Sequence, residues 1–179
     1  MTQDFRSADR PSEAPWPLTF DSFSFGSRVY NTLHCNIIFQ NQQHALPREL
    51  SRPSGVPKFA DWKERWTGSF LIVPDEMPPG PVQIQWASLD GAEHSIEIDL
   101  IQDVFPGQVI LHQVPREEVW ELWSSARAGH TPDILLEVND RTVTVYMRSV
   151  IYTRIWEGKG DEARRVAHDK LIQAWTRTF

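Results

Sequence analysis

Cysteine is almost missing from this chain. Cys35 is the only one in 179 residues, so no intramolecular disulfide can form and a cysteine-built zinc cage is excluded. Stability must come from packing. Long apolar runs are missing too, since no stretch approaches the roughly 20 residues that a membrane-spanning helix needs. Met1 to Pro17 is polar and proline-bearing, without the apolar h-region of a signal peptide. A chain complete as written is therefore expected in the cytoplasm. One from which a signal peptide had been removed would be a periplasmic domain.

Motifs that carry chemistry are also wanting. No Gly-x-Ser-x-Gly elbow is present, and Ser54 and Ser69 merely neighbour glycines. Gly158-Lys159-Gly160 lacks the spacing and the following Ser or Thr of a phosphate-cradling loop. The six histidines (His34, His44, His94, His112, His130, His168) fall one at a time, without the paired spacing of a helical zinc site. Glu117, Glu118 and Glu121 could pair for glycoside hydrolysis, but acids at a helix start serve the dipole equally well. The expectation is no catalytic residue, no metal and no cofactor.

Cations are scarce where acids are dense. Between Asp75 and Asp140 stand thirteen carboxylates (Asp75, Glu76, Asp90, Glu93, Glu97, Asp99, Asp103, Glu117, Glu118, Glu121, Asp133, Glu137, Asp140) against Arg116 and Arg127, a net −11. The whole chain is −6, which leaves +5 for the remainder. Charge is sorted along the sequence. An acidic face repels nucleic acid and anionic lipid and steers a basic protein partner into contact. It also serves simply to keep a fold solvated.

What the chain has in excess is tryptophan, eight in all, a residue that fills cores and anchors interfaces alike. Trp62 and Trp66, four apart, fall on one side of a short helix or turn. There they either pin a loop to the core or form an exposed platform, for a protein or for a sugar.

Length suits one domain. Residues 1–17, with Pro11, Pro15 and Pro17 among polar side chains, read as a flexible tail, and 18–179 as a single β-rich domain. Ser27 to Gln40 alternates as one long strand, Asn41 to Lys58 reads as an irregular loop, and Gly68 to Val73 as a short buried strand. Val82, Ile84 and Trp86, then Asp90-Gly91, then Ile96, Ile98 and Leu100 spell a β-hairpin showing Gln83, Gln85, Glu97 and Asp99 outward. A helix is expected after Pro115, with Val119, Trp120, Leu122, Trp123 and Ala126 on its apolar face. A second hairpin brackets Asn139-Asp140-Arg141. Ala163, Val166, Ala167, Lys170, Leu171, Ala174 and Trp175 then recur at the spacing of an amphipathic helix. The fold class is α+β, mainly antiparallel: a β-sandwich or curved sheet built from hairpins, with two flanking helices.

The segment from Trp66 to Leu100 has a cadence of its own. It runs from a tryptophan and glycine through Met77-Pro78-Pro79-Gly80-Pro81-Val82-Gln83-Ile84-Gln85-Trp86-Ala87-Ser88 to a turn and Ile96-Glu97-Ile98-Asp99-Leu100. This resembles a family of small bacterial envelope proteins, often lipoproteins, some of which look like immunity proteins against type VI secretion lipase toxins. The stretch covers about a fifth of the chain, and the sequence as written departs from the family's pattern in having no lipoprotein signal and no N-terminal lipidation cysteine. The resemblance implies a binding protein and transfers no catalytic residue. The resulting expectation is an immunity protein that occludes a co-encoded toxin with a basic surface, contacting it through Trp62, Trp66, Asp90, Glu93, Glu97 and Asp99. The alternative is a glycan or cell-wall binding module that uses the two tryptophans.

Overall fold

The computed structural model describes residues 16–45, 53–120, 131–159 and 163–179. Among the described residues nine strands form two sheets: β1 (Phe23–Tyr30), β2 (Thr32–Phe39), β3 (Gln42–Ala45), β4 (Phe70–Ile72), β5 (Val82–Ser88), β6 (Glu93–Ile98), β7 (Asp133–Asn139), β8 (Thr142–Glu157) and β9 (Arg164–Thr178). One sheet has the order β4-β1-β7-β8-β9 and the other β3-β2-β5-β6. All pairs are antiparallel except β1 with β7.

The sheets pack face to face because each strand keeps a period of two. Phe23 and Phe25 of β1, Ile134, Leu136 and Val138 of β7, and Val143, Val145 and Met147 of β8 meet Cys35, Ile37 and Phe39 of β2 and Val82, Ile84 and Trp86 of β5 in one apolar core. Phe25 and Phe39 lie 4.6 Å apart across it. The Trp86 Nε1–H donates to the Asp140 carbonyl at 2.7 Å, satisfying the indole while fixing one sheet to the turn of the other.

Four expectations need correction. The long strand from Ser27 to Gln40 is two strands in different sheets, broken at Asn31 (φ 52°). A left-handed residue reverses the chain's path without changing parity, so the alternation runs on as though nothing had happened. Asparagine tolerates that conformation, and here its amide donates to Asn139 Oδ1 at 2.9 Å. The loop after it contains β3, paired to the end of β2.

The C-terminal helix is instead β9, hydrogen-bonded along β8 from Thr142–Thr178 to Glu157–Arg164. Its apolar residues come as adjacent pairs, and where the ladder is regular a strand sends the two members to opposite faces, whereas Ala174 and Trp175, beside a bulge in the ladder, both pack on the main core. Leu171 packs with Trp66 and Tyr146 outside, whereas Ile172 lies with Leu111 and Ile151 inside. The unpaired edge of the 16-residue β8 supplies the ladder, and tertiary pairing overrides the helical period. After Pro115, Arg116–Glu118 makes only a 3-10 turn, and Val119 then bridges Thr153. Leu122, Trp123 and Ala126 of that expected helix lie outside the described residues, as does most of the expected tail. Trp16, at that tail's end, packs edge-on against His112.

Candidate functional site

The six residues singled out as partner-binding do not form one patch, since the sandwich sends them to opposite sides. Glu93 and Glu97 project from the outer face of the four-stranded sheet, and Trp62 and Trp66 sit over the outer face of the five-stranded one.

The first of these faces is open. Alternation places His34, Asn36 and Ile38 of β2, Gln83 and Gln85 of β5, and Glu93, Ser95 and Glu97 of β6 on it. These eight positions include two carboxylates and neither lysine nor arginine. The Gln83 amide donates to Glu97 at 3.0 Å across the strands, and His34 Nε2 meets Glu93 Oε1 at 2.9 Å. The Glu93 side chain stays 71% exposed, so its charge is available to solvent and to a partner. A shallow cleft of about 420 Å³ runs between Gln83, Gln85, Ser95 and Glu97.

Asp90 and Asp99 are occupied locally. Asp90 accepts from the Ser88 hydroxyl and the Ala92 N–H in the hairpin turn, and lies 3.6 Å from Arg141. The Ser88 bond, then the Ala92 bond, holds its carboxyl below the usual aspartate range. Asp99 accepts from the N–H groups of Ile101 and Gln102, both at 2.9 Å, and so caps the π-helical turn Leu100–Val104. Both serve the backbone before any partner.

The same hairpin brings Ser88 Oγ within 2.9 Å of His94 Nε2. A hydrolytic triad needs an exposed serine and a carboxylate on the imidazole. Ser88 is fully buried, and its aspartate bonds to the serine itself. This arrangement holds a turn rather than attacking a substrate.

On the other side, successive turns through residues 59–66 fold the two indoles over β1. Their ring centroids lie 5.3 Å apart. Trp66 is only 2% exposed, in a small cluster with Leu135 and Tyr146, so its ring has no free face for a partner or a sugar. Trp62 remains half-buried, edge-on to Tyr30 at 5.0 Å.

Beneath them lies a polar network that sequence reasoning missed. Lys63 Nζ donates to Tyr146 Oη at 2.6 Å, and Tyr146 Oη donates to Glu137 Oε2 at 2.9 Å. Arg148, nearly buried, donates to the carbonyls of Lys63 (2.6 Å), Glu64 (2.9 Å) and Trp66 (2.9 Å). Its Nε lies 3.2 Å from Asp169 Oδ1, outside hydrogen-bonding geometry. Burial works against the Lys63 charge, but the bond to Tyr146 and the attraction of Glu137 outweigh it and raise the ammonium's pKa. Burial also pushes the Tyr146 phenol up, opposed by Lys63. The available signal was a glutamate and an arginine interrupting two apolar strands, Glu137 in Ile134–Val138 and Arg148 in Val143–Ile151. Buried charges are kept only when paired.

Comparison with family models, with curated proteins and with solved structures finds no match to this chain.

Proposed function

We propose that this protein is a binding protein whose contact surface is the open, acidic outer face of the four-stranded sheet. Its most specific form is an immunity protein that blocks a co-encoded toxin, such as a type VI secretion lipase, by stoichiometric occlusion. The observation that carries the reading is the placement of Glu93 and Glu97, projecting beside Gln83, Gln85, Asn36 and Ser95 with no lysine or arginine among the face positions. The toxin assignment rests on the family resemblance of the Trp66–Leu100 segment, which contains two strands of this face.

A flat row of amides and carboxylates suits a polar, basic protein surface. The carboxylates steer the encounter, and the amides supply hydrogen bonds once water is excluded. Trp66 is no anchor in this interface, because its ring is buried. The sugar platform loses one of its two rings for the same reason.

The test is association kinetics with the partner. Replacing Glu93 and Glu97 together by Gln should slow association roughly three- to ten-fold at low salt and flatten its salt dependence. Unchanged kinetics would remove this face from the interface.

A further inference from the structure

β1 is paired unequally along its two edges. Toward β7 it is bonded from Ser24 to Tyr30. On the other edge β4 covers only Phe23 to Phe25, and Ser69 N–H extends the contact to the Phe25 carbonyl at 3.0 Å. Backbone pairing resumes at Asn31, whose N–H donates to the Ser54 carbonyl at 2.8 Å.

Between these points strand parity turns the N–H and C=O groups of Ser27 and Val29 away from β7. No strand pairs with them there among the described residues. A cleft of about 390 Å³ opens on this stretch, lined by β1 from Gly26 to Tyr30 and walled by Trp66, Thr67 and Ser69. The wall is fixed in place: a Cβ on Gly68 would stand 2.5 Å from the Ser24 carbonyl oxygen.

A cation overlooks the cleft. The Arg28 guanidinium lies 5.8 Å from the Trp62 ring and 5.7 Å from the Trp66 ring, with Nη1 3.4 Å from Tyr30 Oη. Lys63 has Glu137 and Arg148 has Asp169, but Arg28 forms no ion pair among the described residues. Its register partner Glu137 is engaged by Tyr146, Lys63 and Asn139. An unpaired strand edge accepts an extended peptide through its backbone, and a residue added opposite Arg28 would share its face at cross-strand distance.

We propose that the open edge of β1 from Gly26 to Tyr30 binds an extended peptide as a short added strand, with an acidic side chain of that peptide set against Arg28. The cleft's size limits the addition to a few residues. This site lies on the opposite side of the sandwich from the acidic face and takes the opposite charge, so either reading can fail without the other.

The experiment is an NMR titration of the full chain with the amidated peptide acetyl-Thr-Val-Glu-Val-Thr and its Gln analogue. The glutamate peptide should shift the Ser27 and Val29 amides and slow their exchange with solvent. The analogue should bind about two- to five-fold more weakly. Arg28→Gln should erase that difference. Val29→Pro removes one outward N–H without touching the β7 ladder and should abolish binding by both peptides, with circular dichroism verifying the fold. The proposal is overturned if neither peptide perturbs Ser27 and Val29 at millimolar concentration, or if the glutamate preference survives in Arg28→Gln.

Discussion

Arg148 donates to the carbonyl oxygen of Trp66 across 2.9 Å, and the same guanidinium holds the carbonyls of Lys63 and Glu64. One side chain of β8 thereby gives the turns at 59–66 the hydrogen bonds that a helix would have supplied internally. Arg148→Met should leave those carbonyls unsatisfied and Asp169 unpaired. The expected loss is about 2–4 kcal/mol of unfolding free energy in urea, with a red shift in tryptophan emission as Trp66 gains solvent. An unchanged midpoint would show that the loop is held by packing alone.

The Cys35 thiol faces the core from β2 and is 4% exposed. Burial pushes its pKa up to about 12, so the thiolate is scarce at neutral pH. A thiol reagent at pH 8 should leave the native protein unmodified and label one equivalent in denaturant. Reaction at the rate of a free cysteine under native conditions would contradict this packing.

Alkali should loosen the Lys63–Tyr146–Glu137 network. Both Lys63 and Tyr146 have raised folded-state pKa values, so above pH of about 10 the unfolded chain releases these protons first. Their contribution is complete below the unfolded pKa and is lost as pH climbs toward the folded one. The urea midpoint should fall above that pH, and the fall should be shallower in Tyr146→Phe. Equal slopes would mean that the titrating groups lie elsewhere.

Acid should act through His44, whose ring lies among Phe25, Phe39 and Phe70. Burial lowers its pKa despite the backbone hydrogen bond to Phe39. Below the ordinary histidine value of about 6.5 the unfolded chain binds the extra proton, so stability should drop as pH falls through and below that point. His44→Gln should reduce the drop. A midpoint flat from pH 7 to pH 5 would contradict it.

The hairpin of Val82, Ile84 and Trp86 against Glu97 was legible in the sequence because its alternation and its Asp90-Gly91 turn agree, and Gly91 does take a positive φ of 82°. Asn31 was not legible, since a single left-handed residue leaves the pattern of side chains intact while moving the chain to another sheet. Nor was β9, whose paired apolar residues satisfy a helix and a two-faced strand equally until β8 supplies an edge. Among candidate site residues, the exposure of Glu97 followed from alternation, and Glu93 shares its face because it stands four residues earlier on the same strand. The local duties of Asp90 and Asp99 depended on turn geometry that spacing does not encode, and the burial of Trp66 depended on Leu135 and Tyr146, distant in sequence.

The acidic outer face of the four-stranded sheet is the proposed partner surface. Its most direct test is paired affinity capture from the source organism's lysate, using the wild-type chain and Glu93→Lys/Glu97→Lys, washed at low salt and eluted by raising salt. The account predicts a basic protein in equimolar amount on the wild type that is absent from the variant, with both baits folded. The same proteins in the same amounts on both baits would contradict it.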